Sequence, residues 1–142
     1  MTQKQVELVK ATWTLVATMD PVVVGELFYN RLFEIAPQVK HMFRGEMPEQ
    51  SKKLMSMIGF VINKLDKLDD IIAEVGKLGQ RHTGYGVKSE HYALVGSALI
   101  WTLEKGLGEI WTKQVKTAWV ECYTILSEAM INAAAEADKA AA

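Results

Sequence analysis

One cysteine in 142 residues leaves no intramolecular disulfide and no cysteine-based zinc or iron–sulfur centre. Neither sign of charge dominates. Sixteen Lys and Arg stand against 17 Asp and Glu, interspersed, so nothing forms an electrostatic footprint for nucleic acid. Long apolar runs are missing too. The longest uncharged stretch, Tyr92 to Leu103, holds twelve residues and as a helix would span about 18 Å. A bilayer's hydrocarbon core needs roughly 30 Å. The opening segment, MTQKQVELVK, carries no signal-peptide apolar region. There is no internal repeat. The absences together predict a soluble, cytoplasmic chain with no nucleic-acid partner and no membrane partner.

What remains is ordinary globular material, 49% hydrophobic and 23% charged. The length suits one domain over residues 1–142, large enough to bury about 68–70% of its unfolded surface. The Ala-rich end, 133–142, reads as a fraying helix terminus. Only three histidines, His41, His82 and His91, offer imidazole chemistry.

The apolar periodicity is helical throughout, with no run of alternating strand residues. Thr2 and Gln5 form a capping box before the face Val6, Val9, Trp13 and Val16. Asp20-Pro21 caps a second helix bearing Leu27, Phe28, Leu32 and Ile35. Pro37 opens a short turn or helix, and Arg44 to Pro48 reads as a loop. A helix follows from Glu49 to Leu65. Asp69 or Asp70 can cap the next, with Ile71, Val75, Leu78 and His82 on one stripe and Gly84 and Gly86 at its end. Ser89 can cap a helix closed by Gly106 and Gly108, and Thr112 can cap the last, with Trp119, Cys122, Leu126 and Met130 on its inner face. The expected fold is all-α, with six to eight helices in one unit.

Three polar residues stand out on apolar faces. His82 continues the stripe of Leu78, so its imidazole should face the interior, where it needs a hydrogen-bond partner or a metal. Gln50 heads the face carrying Leu54 and Met57. Tyr29 lies beside Phe28 and Leu32. Each also suits a plain role: a histidine bonded to a carbonyl, a glutamine in water at a helix end, a boundary tyrosine. Together they match the needs of a five-coordinate haem, with one axial imidazole and a polar pair across an open face. His41 and His91 read as exposed, and Cys122 as a small core residue. Met55 or Met57 as an iron ligand would instead make a cytochrome-like centre.

The sequence resembles the globins from Thr2 to Asn132. Trp13 matches the tryptophan of the globin first helix. FYNRLF, Phe28 to Phe33, resembles the second helix of bacterial globins and flavohaemoglobin globin domains, with Tyr29 at the distal tyrosine position. Pro37 and Phe43 match the family's proline and haem-stacking phenylalanine. Gln50 falls at the distal polar position, thirty-two residues before His82, which is the family's distal-to-proximal spacing. RHTGYGVKSEHYALVG, Arg81 to Gly96, is similar to bacterial single-domain globins and neuroglobins, and LEKGLG and KTAW continue the likeness.

The resemblance implies a three-over-three globin fold around haem b (iron protoporphyrin IX), with His82 on the iron. It implies haem contacts from Phe43, Leu54, Met57, Ile58, Leu78, Val87 and Tyr92, and from Lys53 to a propionate, although Lys53 equally suits plain solvation. The distal ligand site would be Tyr29, Gln50 and Leu54. Glutamine at 50 in place of histidine implies an open sixth position. The flavohaemoglobin glutamate of the last helix aligns with Ala134. Glu136 is rotated about 200° from that position, which implies a weakened electron push on the proximal side.

The function so implied is reversible, high-affinity binding of dioxygen, with nitric oxide and carbon monoxide as further ligands, for storage, scavenging or protection against nitric oxide. The enzymatic alternative is nitric oxide dioxygenation, whose turnover would require a separate reductase. A haem-free signalling or structural domain is the third class, and His82 argues against it.

Overall fold

A computed structural model describes the backbone of residues 1–84 and 88–141 and, within these, the side chains outside 82–84 and 137–141. The described residues form six α-helices: α1 (Gln3–Val16), α2 (Pro21–Ile35), α3 (Met47–Asn63), α4 (Leu68–Gly84), α5 (Ser89–Leu107) and α6 (Lys113–Ala141). Short 3-10 turns at Pro37–Met42, Leu65–Lys67 and Gly108–Ile110 join them. No strand occurs among the described residues.

The helix starts follow local chemistry. Thr2 Oγ1 accepts from the Gln5 N–H at 3.1 Å while Gln5 Oε1 accepts from the Thr2 N–H at 2.9 Å. Asp20 accepts from the Val22 N–H at 2.9 Å, and Thr112 from the Val115 N–H at 3.2 Å. Gly108 ends α5 with φ of +55°, a conformation that only glycine adopts without strain.

Three boundaries differ from expectation. Helix α3 begins at Met47, so the connecting loop after the 3-10 turn is only 43–46. Pro48 sits in the first turn, where no helical N–H partner is missing. Asp69 and Asp70 lie inside the first turn of α4, facing the positive end of its dipole rather than capping it. Ser89 is the first residue of α5, and the cap comes from His91, whose Nδ1 accepts from the Lys88 N–H at 2.9 Å. His91 is therefore buried, not exposed.

The largest core joins α1, α3, α5 and α6. Val6, Val9, Trp13 and Val16 pack with Met55, Ile62, Leu103, Trp119 and Cys122. Inside it the Trp119 Nε1–H donates to Thr12 Oγ1 at 2.9 Å, and the Thr12 hydroxyl in turn donates to Leu8 O at 2.7 Å. Thr12→Val keeps the shape but strands the indole N–H in an apolar core. The expected loss is about 1–3 kcal/mol, read as a lower thermal midpoint. An unchanged midpoint would mean that water reaches the indole.

Helix α2 crosses α3 at closest approach through Gly25. A Cβ there would lie 2.2 Å from the Cβ of Ser51, so no larger residue fits without pushing the helices apart. This contact sets Tyr29, one turn beyond Gly25, near the start of α3.

Two smaller apolar clusters flank this core. One gathers Phe28, Tyr29, Leu32, Val39 and Ala98, with Phe43 and Leu54 packed against it. The other gathers Ile71, Val75, Tyr92 and Met130, with Val61 and Leu78 against it. Helices α3 and α4 follow one another in the chain but pack elsewhere, α3 on α2 and α1, α4 on α6. No single helix among the described residues is long and apolar enough to cross a membrane.

Candidate functional site

The face of α3 that bears Gln50, Leu54, Met57 and Val61 bridges the two smaller clusters. Leu54 packs in the first and Val61 in the second, while Met57 between them is 42% exposed. An apolar stripe half-buried at both ends and open in the middle is suited to a flat apolar partner. The stripe Ile71, Val75 and Leu78 of α4 belongs to the second cluster, and helical spacing puts His82 one turn further along it.

Tyr29 anchors the first cluster. It is 6% exposed, and burial pushes its phenol up to about 12, so it stays a protonated donor at any physiological pH. Its ring is fixed by three others. Phe28 meets it edge-on at 5.0 Å, Phe33 stacks at 6.0 Å and Phe43 meets it edge-on at 5.3 Å between centroids. Among the described residues, the Tyr29 hydroxyl donates no hydrogen bond. The ring is buried while the hydroxyl is not sealed in, so the donor is open to something outside the chain.

Gln50 is half-buried at the start of α3. Its Nε2–H donates to the carbonyl of Gly45, while Oε1 is buried without a partner among the described residues. Gly45 gave no signal in the sequence, because any residue there would offer the same carbonyl.

The remaining expected contacts divide. Phe43 and Leu54 lie with Tyr29, and Leu78 with Tyr92. Burial raises the Tyr92 phenol, and its carbonyl accepts from the Tyr123 hydroxyl at 2.7 Å, which ties α5 to α6. Ile58 packs instead against the large core around Trp13. Lys53 and His41 are exposed. Cys122 is buried, its thiol pushed up to about 12 by desolvation, in keeping with a packing role. Glu136 is exposed. Val87 and the side chain of His82 lie outside the described residues. A separate hollow of about 640 Å³, between the α1–α2 turn and α3, is lined by Trp13, Met19, Lys52, Met55 and Phe60 among others. It offers no acid or imidazole, only the thioethers of Met19 and Met55.

A haem needs an apolar slot, a donor on its open face and an imidazole on the other. The described residues supply an apolar face on α3 and the donor Tyr29, and the α4 stripe leads to His82. On this test the chain fits the group.

Known proteins agree. The chain is 28% identical to Neuroglobin-1 of Oncorhynchus mykiss, over 92% of this chain and 90% of that protein. It is 28% identical to a flavohemoprotein of Vibrio cholerae, over 93% of this chain but only 34% of the longer protein. The chain thus spans about a third of that relative's length. A bacterial globin from Campylobacter jejuni superimposes with a TM-score of 0.85 at 25% identity, over 97% of this chain and 99% of that one. An engineered carbene transferase from Rhodothermus marinus shares the fold, with a TM-score of 0.86 at 24% identity, over 99% and 97% of the two chains. The globin model itself matches residues 26–130, and with this match over most of its length the chain belongs to the globin family.

Proposed function

We propose that this chain binds haem b and through it holds dioxygen reversibly and tightly, with nitric oxide and carbon monoxide as competing ligands. The observation that carries this reading is Tyr29: a protonated phenol on a buried ring, locked by three aromatic rings and donating to nothing in the described chain. Bound haem supplies an iron that takes a diatomic gas on its free face. His82 holds that iron from α4. Phe43, Leu54, Met57 and Leu78, with Val87, exclude water from the two faces. Tyr92 backs the α4 side, Ile58 supports α3 from behind, and Lys53 at the rim reaches a propionate. Tyr29 donates to the partly negative outer oxygen of the ligand. Tight retention suits scavenging or protection from nitric oxide better than bulk transport.

An electronic absorption spectrum after haem supply tests the reading. We expect a Soret band in a 1:1 complex and a five-coordinate ferrous form. No Soret band would sink the haem assignment and favour a haem-free domain.

A second reading rests on the likeness to the flavohemoprotein. Haem held by His82 would supply the redox centre for converting nitric oxide, dioxygen and one electron from a separate reductase to nitrate, with Tyr29 donating to the oxygen. Nitric oxide consumption beyond one equivalent, with a reductase present, would favour this enzyme. Consumption that stops at one equivalent would favour the binding protein.

A further inference from the structure

The side-chain amide of Gln50 is turned toward the loop at 43–46. Its Nε2–H donates to Gly45 O, its backbone N–H donates to Glu46 O at 3.0 Å, and Oε1 is sealed from solvent. A Cβ on Gly45 would already lie 3.1 Å from Nε2, so loop and amide are in close contact. Two residues before Gly45 stands Phe43, whose ring meets Tyr29 edge-on at 5.3 Å and Phe33 at 5.6 Å. We propose that Gln50 is a positioning residue: it clamps the loop that seats Phe43 against Tyr29, and Tyr29 alone meets the ligand. This deepens the haem reading and rests on it.

The linkage runs through named contacts. One amide proton holds Gly45, which fixes the turn. The turn fixes the approach of Phe43, and the Phe43 edge leaves the Tyr29 ring one orientation. Leucine at 50 removes the bond to Gly45 and frees the turn. The Tyr29 hydroxyl then samples more than one direction and donates less often. Such an effect exists only while residue 29 carries a hydroxyl.

A double-variant cycle separates this role from direct contact with the ligand. Oxygen release is measured in the reconstituted parent, Tyr29→Phe, Gln50→Leu and the double variant. We expect Gln50→Leu to speed release several-fold, and the double variant to match Tyr29→Phe within about twofold, the usual error of such cycles. A double variant faster than Tyr29→Phe by about tenfold, or 1.4 kcal/mol, would show that Gln50 contacts the ligand itself and overturn the proposal. The haem-free chain provides an independent readout. In its proton–nitrogen spectrum one side-chain amide proton of Gln50 should exchange slowly, and the signal should vanish in Gln50→Glu. Amide protons that exchange as in free glutamine would overturn the clamp. A parent chain with no Soret band would sink the haem reading alone, leaving the clamp to stand or fall on this exchange measurement.

Discussion

Tyr29→Phe is expected to release oxygen one to two decades faster than the parent chain. The substitution removes one oxygen atom and leaves the ring, so contacts with Phe28, Phe33 and Phe43 persist. The lost interaction is a hydrogen bond to a polarised ligand inside an apolar wall, which contributes roughly 1.5–3 kcal/mol. Each 1.4 kcal/mol is about tenfold in an equilibrium constant, and most of such a change falls in the dissociation rate. Carbon monoxide, less polarised, should feel the change far less, so the ratio of the two affinities moves with it. The pH dependence follows from burial. The phenol holds its proton up to about pH 12, so release from the parent should be flat between about pH 6 and 9. Stability should fall as pH rises from 10 toward about 12, because the unfolded chain gives up a proton there that the folded chain retains. Stopped-flow oxygen release and alkaline unfolding check the two statements. An unchanged release rate in Tyr29→Phe would remove the tyrosine from ligand binding.

How much of this was legible beforehand depended on how local the cause was. The caps at Thr2, Asp20 and Thr112 are contacts within three residues, and the pattern of residue types reveals them directly. The all-α fold follows from period alone. The start of α3 was displaced because Pro48 reads equally well as the end of a loop or the first turn of a helix. The burial of His91 escapes the sequence for a different reason. A histidine three residues into a helix can turn its Nδ1 back on the preceding N–H, but composition gives no sign that it does.

Site residues show the same limit. Helix α3 carries two apolar faces, Met55, Ile58 and Ile62 toward the large core and Leu54, Met57 and Val61 across the two smaller clusters. Spacing groups residues into faces but does not say which face meets which neighbour, so Ile58 is not told apart from Met57. The environment of Tyr29 was readable, since its aromatic partners lie on its own helix and the next turn. The partner of Gln50 was not, because a backbone carbonyl has no signature in a residue code.

Glycines carry the least legible information of all, and Gly79 has the largest predicted consequence among them. Alanine there would put its Cβ 2.4 Å from the carbonyl oxygen of Met130 and 2.6 Å from its Cα. Both are backbone atoms, so no side chain can swing aside. Helix α4 would have to withdraw from α6, its main support. Overpacking of this kind costs about 1–3 kcal/mol, sometimes more. At about 4 °C per kcal/mol, the thermal midpoint should fall by several degrees. The functional effect follows from position. Gly79 is one residue after Leu78 and three before His82, on the helix proposed to hold the iron. Gly79→Ala should therefore also bind haem more loosely, read as faster transfer of haem to an acceptor protein. Gly106 provides the control with the opposite sign. The nearest atom to a Cβ there is 3.8 Å away, on the Met19 side chain, so alanine has room. With helical backbone and no clash, Gly106→Ala should gain up to about 0.5–1 kcal/mol by restricting the unfolded chain. It should leave haem transfer unchanged. Equal midpoints in the two variants would show that α4 and α6 do not approach each other as closely as Gly79 requires.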